Sequence, residues 1–405
     1  RAFLDVVRRG FPVAVTNLAV SSNLPLEPGM FDLLIVDEAS TCDPASLLPL
    51  LYRAKRAVIV GDPHQLPHVT GDGWKQVLPV PTLQGADKRE FDAEFGSSAY
   101  HLCSNICGAQ NTFLLSDHFR CPPPIIAFSN ENFYGGALRI HSEDTPSPLS
   151  LRLVPGQHRV TPTGSRLNNE QLNEAVEQLV ALSKQFDQAT IGFVTPYRAM
   201  ADAAVELAKQ HPQLSPLLDQ GRLIIGTAHR FQGNEVDFLV FATTAGSNAG
   251  KRESSWVEHP NLFNVAITRA KKHLLVIADP VLWQSGALRR TKSLFENPGA
   301  LRDSLRRSSP ELKEVLEQLN ALGIKYSSPS SFRGYPLDII DASDKPRWAL
   351  VFVGWNELRN LSTGSMIQWW SDRAALAKWG IRLYYATPIT WSRTLTRILS
   401  DEWLS

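Results

Sequence analysis

The chain has 405 residues, with 43% hydrophobic and 20% charged residues, a composition typical of globular proteins and unlike that of disordered chains. Because single hydrophobic cores stop growing at about 250–300 residues, the length predicts two or three domains. The formal net charge of +1 excludes a strong overall electrostatic field as the means of attracting nucleic acid. No apolar run approaches the ~20 residues of a membrane span, so we expect no membrane contact.

Short apolar segments that alternate with helical stretches predict parallel β-sheets with helices on both faces. The predicted strands are Asp32–Val36, Ala57–Val60, Thr190–Val194, Leu223–Gly226, Phe238–Thr243 and His273–Ala278. The first belongs to the apolar run 31–36, which is typical of an interior strand covered on both faces. In such folds functional residues follow the carboxyl ends of strands.

Composition shifts along the chain predict three regions and a linker. They are an incomplete α/β domain at 1–106, a complete one at 107–288, a basic linker at 289–307 and a third α/β domain at 308–405. Proline and glycine predict loops at Gly71–Gly85 and His141–Gly164. The linker is open to two interpretations, a solvated helix or a strip that contacts phosphates.

The cysteines are too few for a disulfide framework in a chain of this size. They are Cys42, Cys103, Cys107 and Cys121. Such usage fits a reducing compartment, and we expect a cytoplasmic protein. His101 and His118 lie near three of them, but the Cys-x3-Cys spacing matches no strong zinc pattern, and helix packing is the simpler interpretation.

Two adjacent carboxylates follow the first predicted strand, in the run Asp37-Glu38-Ala39-Ser40. Nucleoside-triphosphate hydrolysis uses such a pair, since one carboxylate holds Mg²⁺ and the other orients or deprotonates the attacking water. The phosphate-binding motif G-x-x-x-x-G-K-[S/T] does not occur in the 405 residues, and Gly250-Lys251-Arg252 is its nearest fragment. We therefore expect that the chain alone neither binds ATP tightly nor hydrolyses it, and that an upstream polypeptide supplies this loop.

Further motifs follow the other strands. The segment Gly61–Pro67 lies after the second strand, where Gln65 can hydrogen-bond the γ-phosphate or its attacking water. Phe119 and Arg120 begin the second α/β domain. An arginine here can act as an arginine finger and the aromatic ring can stack on adenine, although a surface ion pair is the common fate of a lone arginine.

The longest motif is Gly226–Glu235, between the fourth and fifth predicted strands. Thr227 and His229 are placed to hold backbone phosphates of a nucleic-acid strand. Gln232 and Gly233 suit a close approach to the nucleotide, and Glu235 suits the ribose hydroxyls. An ordinary loop remains the alternative. A last motif, Asn264–Lys271, predicts a helix that carries Arg269, a second candidate arginine finger.

Together these motifs resemble superfamily 1 helicases over residues 11–280. The residues that carry the resemblance are Asp37–Ser40, Gly61–Pro67, Phe119-Arg120, Thr195–Arg198, Gly226–Glu235 and Asn264–Arg269. The branch most similar to this chain is the 5′-to-3′ branch that includes the nonsense-mediated-decay helicase. The resemblance implies two RecA-like domains of the P-loop NTPase type, with ATP and Mg²⁺ in the cleft and single-stranded DNA or RNA across the top.

The same resemblance implies a role for each candidate residue. Asp37 would bind Mg²⁺, Glu38 would be the catalytic base and Gln65 would sense the γ-phosphate. Arg120 and Arg269 would be arginine fingers. Glu235 would contact the ribose, while the nucleic-acid strand would be contacted by Thr195, Tyr197 and Thr227.

The C-terminal region resembles the PD-(D/E)XK fold of very-short-patch-repair endonucleases, a restriction-endonuclease-like α/β fold. We predict a helix at Pro310–Leu322, and a strand at 334–340 that carries Asp338, the first acid of that family. The next predicted strand has Val351 and Val353 where the family has acids. One carboxylate is too few to hold a catalytic metal, so we expect a degenerate nuclease domain. Rescue by Asp341 or Glu357 is the alternative.

Three functions are compatible with this sequence. The first is the C-terminal part of an ATP-dependent helicase that moves along single-stranded nucleic acid, with DNA favoured by the nuclease-like region. The second is a module that binds nucleic acid or a partner without its own ATPase activity. The third is an active helicase–nuclease.

Overall fold

The computed structural model describes seven stretches of the chain. They are residues 10–67, 98–143, 145–296, 310–328, 330–333, 335–354 and 363–403. The predicted loop Gly71–Gly85, residues 297–307 of the predicted linker, and Glu357 lie outside the described residues.

Two compact units make up the chain. The first unit comprises residues 1–115 and 259–265, and the second comprises 116–258 and 266–405. None of the helices in the described stretches combines the length and apolar character that membrane crossing requires.

The described helices are numbered in chain order. They are α1 Leu18–Ser21, α2 Pro44–Arg53, α3 Ala99–Cys107, α4 Pro123–Phe133, α5 Asn169–Gln185, α6 Arg198–Gln210, α7 Ser215–Asp219, α8 Lys251–Val257, α9 Pro260–Ile267, α10 Pro280–Gln284, α11 Arg289–Glu296, α12 Pro310–Ala321, α13 Thr363–Ala377 and α14 Trp391–Trp403.

The described strands are numbered in the same way. They are β1 Leu34–Val36, β2 Ala57–Ile59, β3 Asp117–His118, β4 Arg139–Ile140, β5 Leu149–Leu153, β6 Arg159–Val160, β7 Arg166–Leu167, β8 Ile191–Thr195, β9 Leu223–Thr227, β10 Val236–Ala242, β11 Ala270–Ala278, β12 Tyr326–Ser327, β13 Ser330–Phe332, β14 Tyr335–Leu337, β15 Ile339–Asp341, β16 Trp348–Phe352 and β17 Arg382–Ala386.

The first unit contains a parallel pair, β1 and β2, with Val36 opposite Ile59. The core of the unit forms where Val36, Leu47 and Ala99 pack together. The expectation of a strand covered on both faces is wrong within the described residues, because Ile35 is 64% exposed. Apolar residues from α2 and α3 cover the face that holds Val36, whereas the face that holds Ile35 lies open.

The second unit is built on a parallel sheet with the order β5-β11-β10-β8-β9. The four strands predicted in this region are confirmed. Strand β8 is buried along its whole length and lies between β10 and β9. The predicted loop at His141–Gly164 is wrong in its middle, because Leu149–Leu153 pairs with β11 and forms the edge of the sheet.

The C-terminal region, also within the second unit, has a mixed sheet with the order β12-β15-β16-β17. Strands β15 and β16 are antiparallel, and β16 and β17 are parallel. Alternate residues of β16 face opposite sides, so Leu350 and Val351 enter different apolar clusters. The single strand predicted over 334–340 is instead two short strands, β14 and β15, with Asp338 between them.

Candidate nucleotide and nucleic-acid sites

The carboxyl ends of β1 and β2 bring the two predicted motifs of the first unit side by side. Asp37 follows β1 and is exposed, and its Oδ1 accepts the backbone N–H of Glu38 at 2.9 Å. Glu38 is half-buried and has a left-handed backbone, with φ 52° and ψ 37°. Such a conformation costs about 1–3 kcal/mol for a residue other than glycine, and it is found most often at functional sites.

Side-chain bonds join the two motif loops. The hydroxyl of Ser40 accepts the N–H of Asp62 at 2.7 Å. The Asp62 carboxylate then accepts the N–H of His64 at 2.9 Å and the Nε2–H of Gln65 at 3.2 Å. Gly61 is required at this crossing, since a Cβ atom there would lie 2.8 Å from Ser40 Oγ. Through Asp62, the network links the side chain of Gln65 to Ser40, two residues after Glu38.

Two polar side chains of these loops, Gln65 and Asp37, have oxygen atoms that could bind a nucleotide or Mg²⁺. Oε1 of Gln65 is buried and has no hydrogen-bond partner among the described residues. The exposed Asp37 carboxylate offers the oxygen ligands that Mg²⁺ prefers. Both observations fit a polar ligand at this end of the sheet.

The start of α9 belongs to the first unit and supports the Gly61–Pro67 segment. Nδ2 of Asn261 donates to the carbonyl oxygens of Pro63 at 3.2 Å and Gln65 at 2.6 Å. Nδ2 of Asn264 donates to the carbonyl oxygen of His64 at 3.0 Å. The sequence patterns did not identify Asn261 as a functional residue. The sequence feature that could have indicated its role is its position three residues before the predicted motif Asn264–Lys271.

In the second unit the structure brings together two residues that lie far apart in the sequence. Nε of Arg120 lies 2.6 Å from Oε2 of Glu235, and Nζ of Lys271 lies 3.4 Å from Oε1 of the same carboxylate. Partial burial raises the pKa of Glu235, but the bond and charge of Arg120, aided by Lys271, outweigh burial and hold the pKa below its usual value. The candidate finger and the candidate ribose ligand therefore bind each other in this state.

Phe119 is placed for ring stacking. Its side chain is 69% exposed, and its ring stacks on that of His141 with centroids 4.7 Å apart and an interplanar angle of 16°. A flat, exposed aromatic surface of this kind can accept a nucleobase.

Arg269 is not on a helix, contrary to prediction. Helix α9 ends at Ile267, and Arg269 lies in the turn before β11 with only 3% of its surface exposed. Its carbonyl oxygen accepts the N–H of Val236 at 3.0 Å. The helix stops here because the chain must turn to enter a central strand of the sheet.

The cysteines pack as free thiols. Cys121 is fully buried, its Sγ contacts the carbonyl oxygen of Thr268 at 3.2 Å, and burial raises the pKa of its thiol to about 12. Within the described stretches no group of three or more His, Cys, Asp or Glu side chains is placed to hold a metal ion.

The four candidate nucleic-acid residues differ in exposure. Thr195 is fully buried and its hydroxyl is 2.7 Å from that of Thr244. Tyr197 is 8% exposed, the guanidinium of Arg166 lies over its ring at 5.9 Å, and burial raises its pKa to about 12. Thr227 is half-buried, while His229 is exposed.

The turn after Thr227 carries the candidate nucleotide ligands. The carbonyl oxygen of Thr227 accepts the N–H of Arg230 at 2.9 Å, which begins the turn. Gly233 has φ +79°, a conformation that favours glycine. Nε2 of Gln232 is buried without a hydrogen-bond partner among the described residues.

Asp338 of the C-terminal region is 3% exposed. Its Oδ2 accepts the N–H of Phe352 at 2.6 Å, and its own N–H donates to the carbonyl oxygen of Leu350 at 3.0 Å. Val351 and Val353 are buried. Asp341 is also buried, and its carboxylate accepts from Ser343 and from the N–H of Arg347.

Two family models, both described as AAA domain, match residues 13–71 and 97–281. The chain is 26% identical over 262 residues to the 5'-3' DNA helicase ZGRF1 of Mus musculus, a match that covers 61% of this chain and 13% of the relative. It is 25% identical over 275 residues to the ATP-dependent helicase upf1 of Schizosaccharomyces pombe, a match that covers 64% of this chain and 28% of the relative. These matches support a superfamily 1 helicase.

The chain corresponds to only part of these longer relatives. The matched region spans between an eighth and about a quarter of the length of these two relatives. A solved arterivirus nonstructural protein 10 (helicase) with DNA is similar over 66% of this chain and 44% of its own, with 14% identity and a TM-score of 0.32. The parallel sheet of the second unit shows an α/β fold for the matched region.

Proposed function

We propose that this chain is the C-terminal part of an ATP-dependent superfamily 1 helicase that moves 5′ to 3′ along single-stranded DNA. The observation that carries the proposal is the network at the ends of β1 and β2. There Asp37 and Glu38 lie beside Asp62 and Gln65, with Ser40 bonded across the two loops. Hydrolysis of ATP needs a metal-binding carboxylate, a water-orienting group and a group near the γ-phosphate, all fixed in place.

In this proposal each residue of the first unit has one task. Mg²⁺, when bound, neutralises charge on the phosphates, and Asp37 would hold it. Glu38, whose strained backbone fixes its direction, accepts a proton from the attacking water. The side chain of Gln65 offers the unpartnered Oε1 to that water or to the γ-phosphate.

The second unit supplies the remaining ligands of the proposal. Arg120 and Arg269 act as arginine fingers, and Phe119 stacks on adenine. Gln232, Gly233 and Glu235 contact the nucleotide. Arg120 must leave Glu235 before it can reach a phosphate, so the ion pair opposes nucleotide binding until the ligand offers a stronger anion.

A separate set of residues of the second unit is proposed to contact the strand. They are Thr195, Tyr197, Thr227 and His229. His229 and Thr227 have surface available to backbone phosphates, whereas Thr195 is fully buried. A contact by Thr195 would therefore pass through its backbone or would need Thr244 to release its hydroxyl.

The phosphate loop of the site is proposed to come from a segment outside these 405 residues, which contain no such motif. By this proposal the 405 residues alone do not turn over ATP. The same observation favours a second candidate function, a nucleic-acid- or partner-binding module without its own ATPase activity. The two differ in whether ATP hydrolysis appears once a phosphate loop is supplied.

The domain organisation is part of the proposal. Residues 1–106 and 107–288 correspond to two RecA-like domains, the first incomplete, and 289–307 to a linker. Residues 308–405 form a degenerate restriction-endonuclease-like domain, in which Asp338 serves the sheet by accepting the N–H of Phe352. An active nuclease would need further acids where buried Val351 and Val353 stand. Four free cysteines support a cytoplasmic location.

Duplex unwinding tests the proposed function. The polypeptide is joined to a phosphate-loop segment and given a DNA duplex with a 5′ single-stranded overhang, with 3′-overhang and RNA duplexes as matched substrates. The proposal expects ATP-dependent strand separation from the 5′-overhang DNA and its loss in Glu38→Gln. Binding to these substrates without ATP-dependent unwinding of any of them would support the binding module and overturn the helicase. Metal-dependent nicking that is lost in Asp338→Ala would overturn the degenerate nuclease.

A further inference from the structure

A short segment, Arg139–Ser142, is hydrogen-bonded to the residues that flank the Phe119-Arg120 motif. Strand β4 pairs in parallel with β3, so that Arg139 is opposite Asp117. The N–H of His141 donates to the carbonyl oxygen of His118 at 2.8 Å. The hydroxyl of Ser142 donates to the carbonyl oxygen of Cys121 at 2.5 Å. These bonds tie Arg139–Ser142 to both ends of the motif.

The C-terminal region binds the same segment from its other side. The N–H of Ile140 donates to the carbonyl oxygen of Arg333 at 2.7 Å, and Nη1 of Arg333 donates to the carbonyl oxygen of Ser142 at 2.5 Å. Arg139 also forms an ion pair of 3.7 Å with Asp372 on α13. Because all these residues belong to the second unit, the segment connects the C-terminal region with the motif inside one compact body.

His141 is the side chain through which the connection reaches Phe119. One face of its ring stacks on Phe119. Its Nε2 lies 2.8 Å from Oδ1 of Asp117 and 3.1 Å from the hydroxyl oxygen of Tyr335. The Asp117 carboxylate only accepts hydrogen bonds, so Nε2 carries the hydrogen and shares it with the phenol oxygen.

Tyr335 is built into the C-terminal core. It is 2% exposed, and its ring stands edge-on to the imidazole of His141, with centroids 6.0 Å apart and an interplanar angle of 90°. Burial raises the pKa of Tyr335 to about 12, so the phenol stays neutral at physiological pH. Three kinds of contact therefore fix the imidazole of His141. Its Nε2 is hydrogen-bonded to Asp117 and Tyr335, the ring of Tyr335 stands edge-on to it, and one of its faces stacks on Phe119.

We propose that Tyr335 is a positioning residue for nucleotide recognition, acting through His141 to hold the Phe119 ring in the plane on which the base of the nucleotide stacks. The proposal rests on the proposed role of Phe119 in stacking. It gives the C-terminal region a task in the ATP cycle that needs no nuclease chemistry. A ring that is 69% exposed has little else to restrict its rotation, and stacking on a base requires a fixed plane.

The test compares Tyr335→Phe with Tyr326→Phe in the 405-residue chain. Both changes remove one phenol hydroxyl from the C-terminal region, but the hydroxyl of Tyr326 donates to the carbonyl oxygen of Leu316 at 3.3 Å and not to His141. One readout is amide hydrogen exchange at His141 and Cys121. The other is NMR saturation transfer from the protein to the adenine protons of ATP at millimolar concentration, which detects weak binding. Tripolyphosphate, which has no base, serves as the matched ligand, and its binding is followed by ³¹P line broadening because it has no carbon-bound protons to receive saturation.

In Tyr335→Phe we expect exchange at His141 to rise about fivefold, the size of one lost hydrogen bond. Saturation transfer to adenine should fall by a similar factor, while tripolyphosphate binding stays unchanged and Tyr326→Phe resembles wild type. The fall should vanish in the Phe119→Ala background. Equal behaviour of the two tyrosine variants, or faster exchange with unchanged transfer, would overturn the positioning role alone. Adenine transfer that is absent in wild type or unaffected by Phe119→Ala would instead overturn the stacking role of Phe119, and the inference with it.

Discussion

Asp37 and Asp338 both stand next to short strands, yet their surroundings differ. Asp37 follows β1 with its carboxylate exposed, and the bond it accepts comes from its neighbour Glu38. Asp338 is 3% exposed, and its carboxylate accepts the N–H of Phe352 from the adjacent strand. An exposed carboxylate can give its oxygens to a metal, whereas a buried one that satisfies a backbone N–H stabilises the sheet. Residue type alone therefore does not distinguish a chemical role from a structural one, whereas burial and hydrogen-bond partners do.

The largest effect is expected for Glu38→Gln, which tests the chemical side of the comparison. The amide keeps the shape of the side chain but cannot accept a proton from water. In a polypeptide joined to a phosphate loop, DNA-stimulated ATP turnover should fall by a factor of about 10²–10⁴, the usual contribution of a general base. The measurement is steady-state phosphate release with and without single-stranded DNA.

Asp32→Asn is the matched control for that variant. Asp32 is an exposed acid five residues before Asp37, and it pairs with Lys55 at 2.7 Å on the surface. Its loss should leave turnover within twofold of wild type. Equal losses in both variants would mean that turnover depends on surface charge rather than on a base at Glu38.

Asp338→Ala tests the structural side of the comparison. The substitution leaves the buried N–H of Phe352 without its acceptor, which should lower the free energy of unfolding by about 1–3 kcal/mol. Asp37→Ala is its counterpart and should change stability by less than about 0.5 kcal/mol, since its side chain is exposed. Urea denaturation measures both. A larger loss for Asp37→Ala than for Asp338→Ala would reverse the two assignments.

Gly61→Ala tests whether the exposed site depends on a tight crossing of its two loops. The added Cβ would lie 2.8 Å from Ser40 Oγ and 2.8 Å from Tyr100 Cδ2, so the loops must separate. We expect a loss of about 1–2 kcal/mol in unfolding free energy, as for other overpacked positions. In Gly10→Ala the Cβ would meet nothing within 4 Å, so that variant is the control. If both variants are equally stable, the crossing is more adaptable than its geometry indicates.

Glu235 is intermediate between the two aspartates, because its side chain is 42% exposed and paired with Arg120. Its folded-state pKa lies below the unfolded value, so its stabilising effect is present above about pH 4.3 and is lost as pH falls through the folded-state value. Solvent screening keeps the effect below about 1 kcal/mol. Stability measured against pH should therefore be flatter below pH ~4.3 in Glu235→Gln. A variant that follows the wild-type curve would show that the pair adds no stability.

Local sequence patterns predicted the strands and the positions of the first-unit motifs well. The apolar segments around Val36 and Ile59 form parallel strands, and Asp37 and Asp62 follow them as expected. The strand predictions were correct because a buried strand must be apolar. The motif positions were correct because functional residues of a parallel sheet lie at the carboxyl ends of its strands. Strand β5 was missed because Pro148 precedes it and Pro155-Gly156 follows it closely, which are strong loop signals.

Contacts between distant residues could not be predicted. Arg120 and Glu235 are 115 positions apart, and neither residue's neighbours indicate that the two side chains meet. The support of the Gln65 loop by Asn261, 196 positions away, depends on tertiary packing in the same way. Arg269 was placed on a helix because its motif is helical at the start, and only the position of β11 shows that the helix ends two residues earlier.

The assignment of Asp37 and Glu38 to one half of an ATP site is best tested by ATP turnover of the 405-residue chain. Turnover is measured with and without a phosphate-loop segment, supplied as a second polypeptide or as a fusion. We expect no DNA-stimulated hydrolysis by the chain alone, hydrolysis once the loop is supplied, and loss of that hydrolysis in Glu38→Gln. Stimulated turnover by the chain alone, or turnover that Glu38→Gln leaves unchanged, would contradict the assignment of Asp37 and Glu38 to one half of an ATP site.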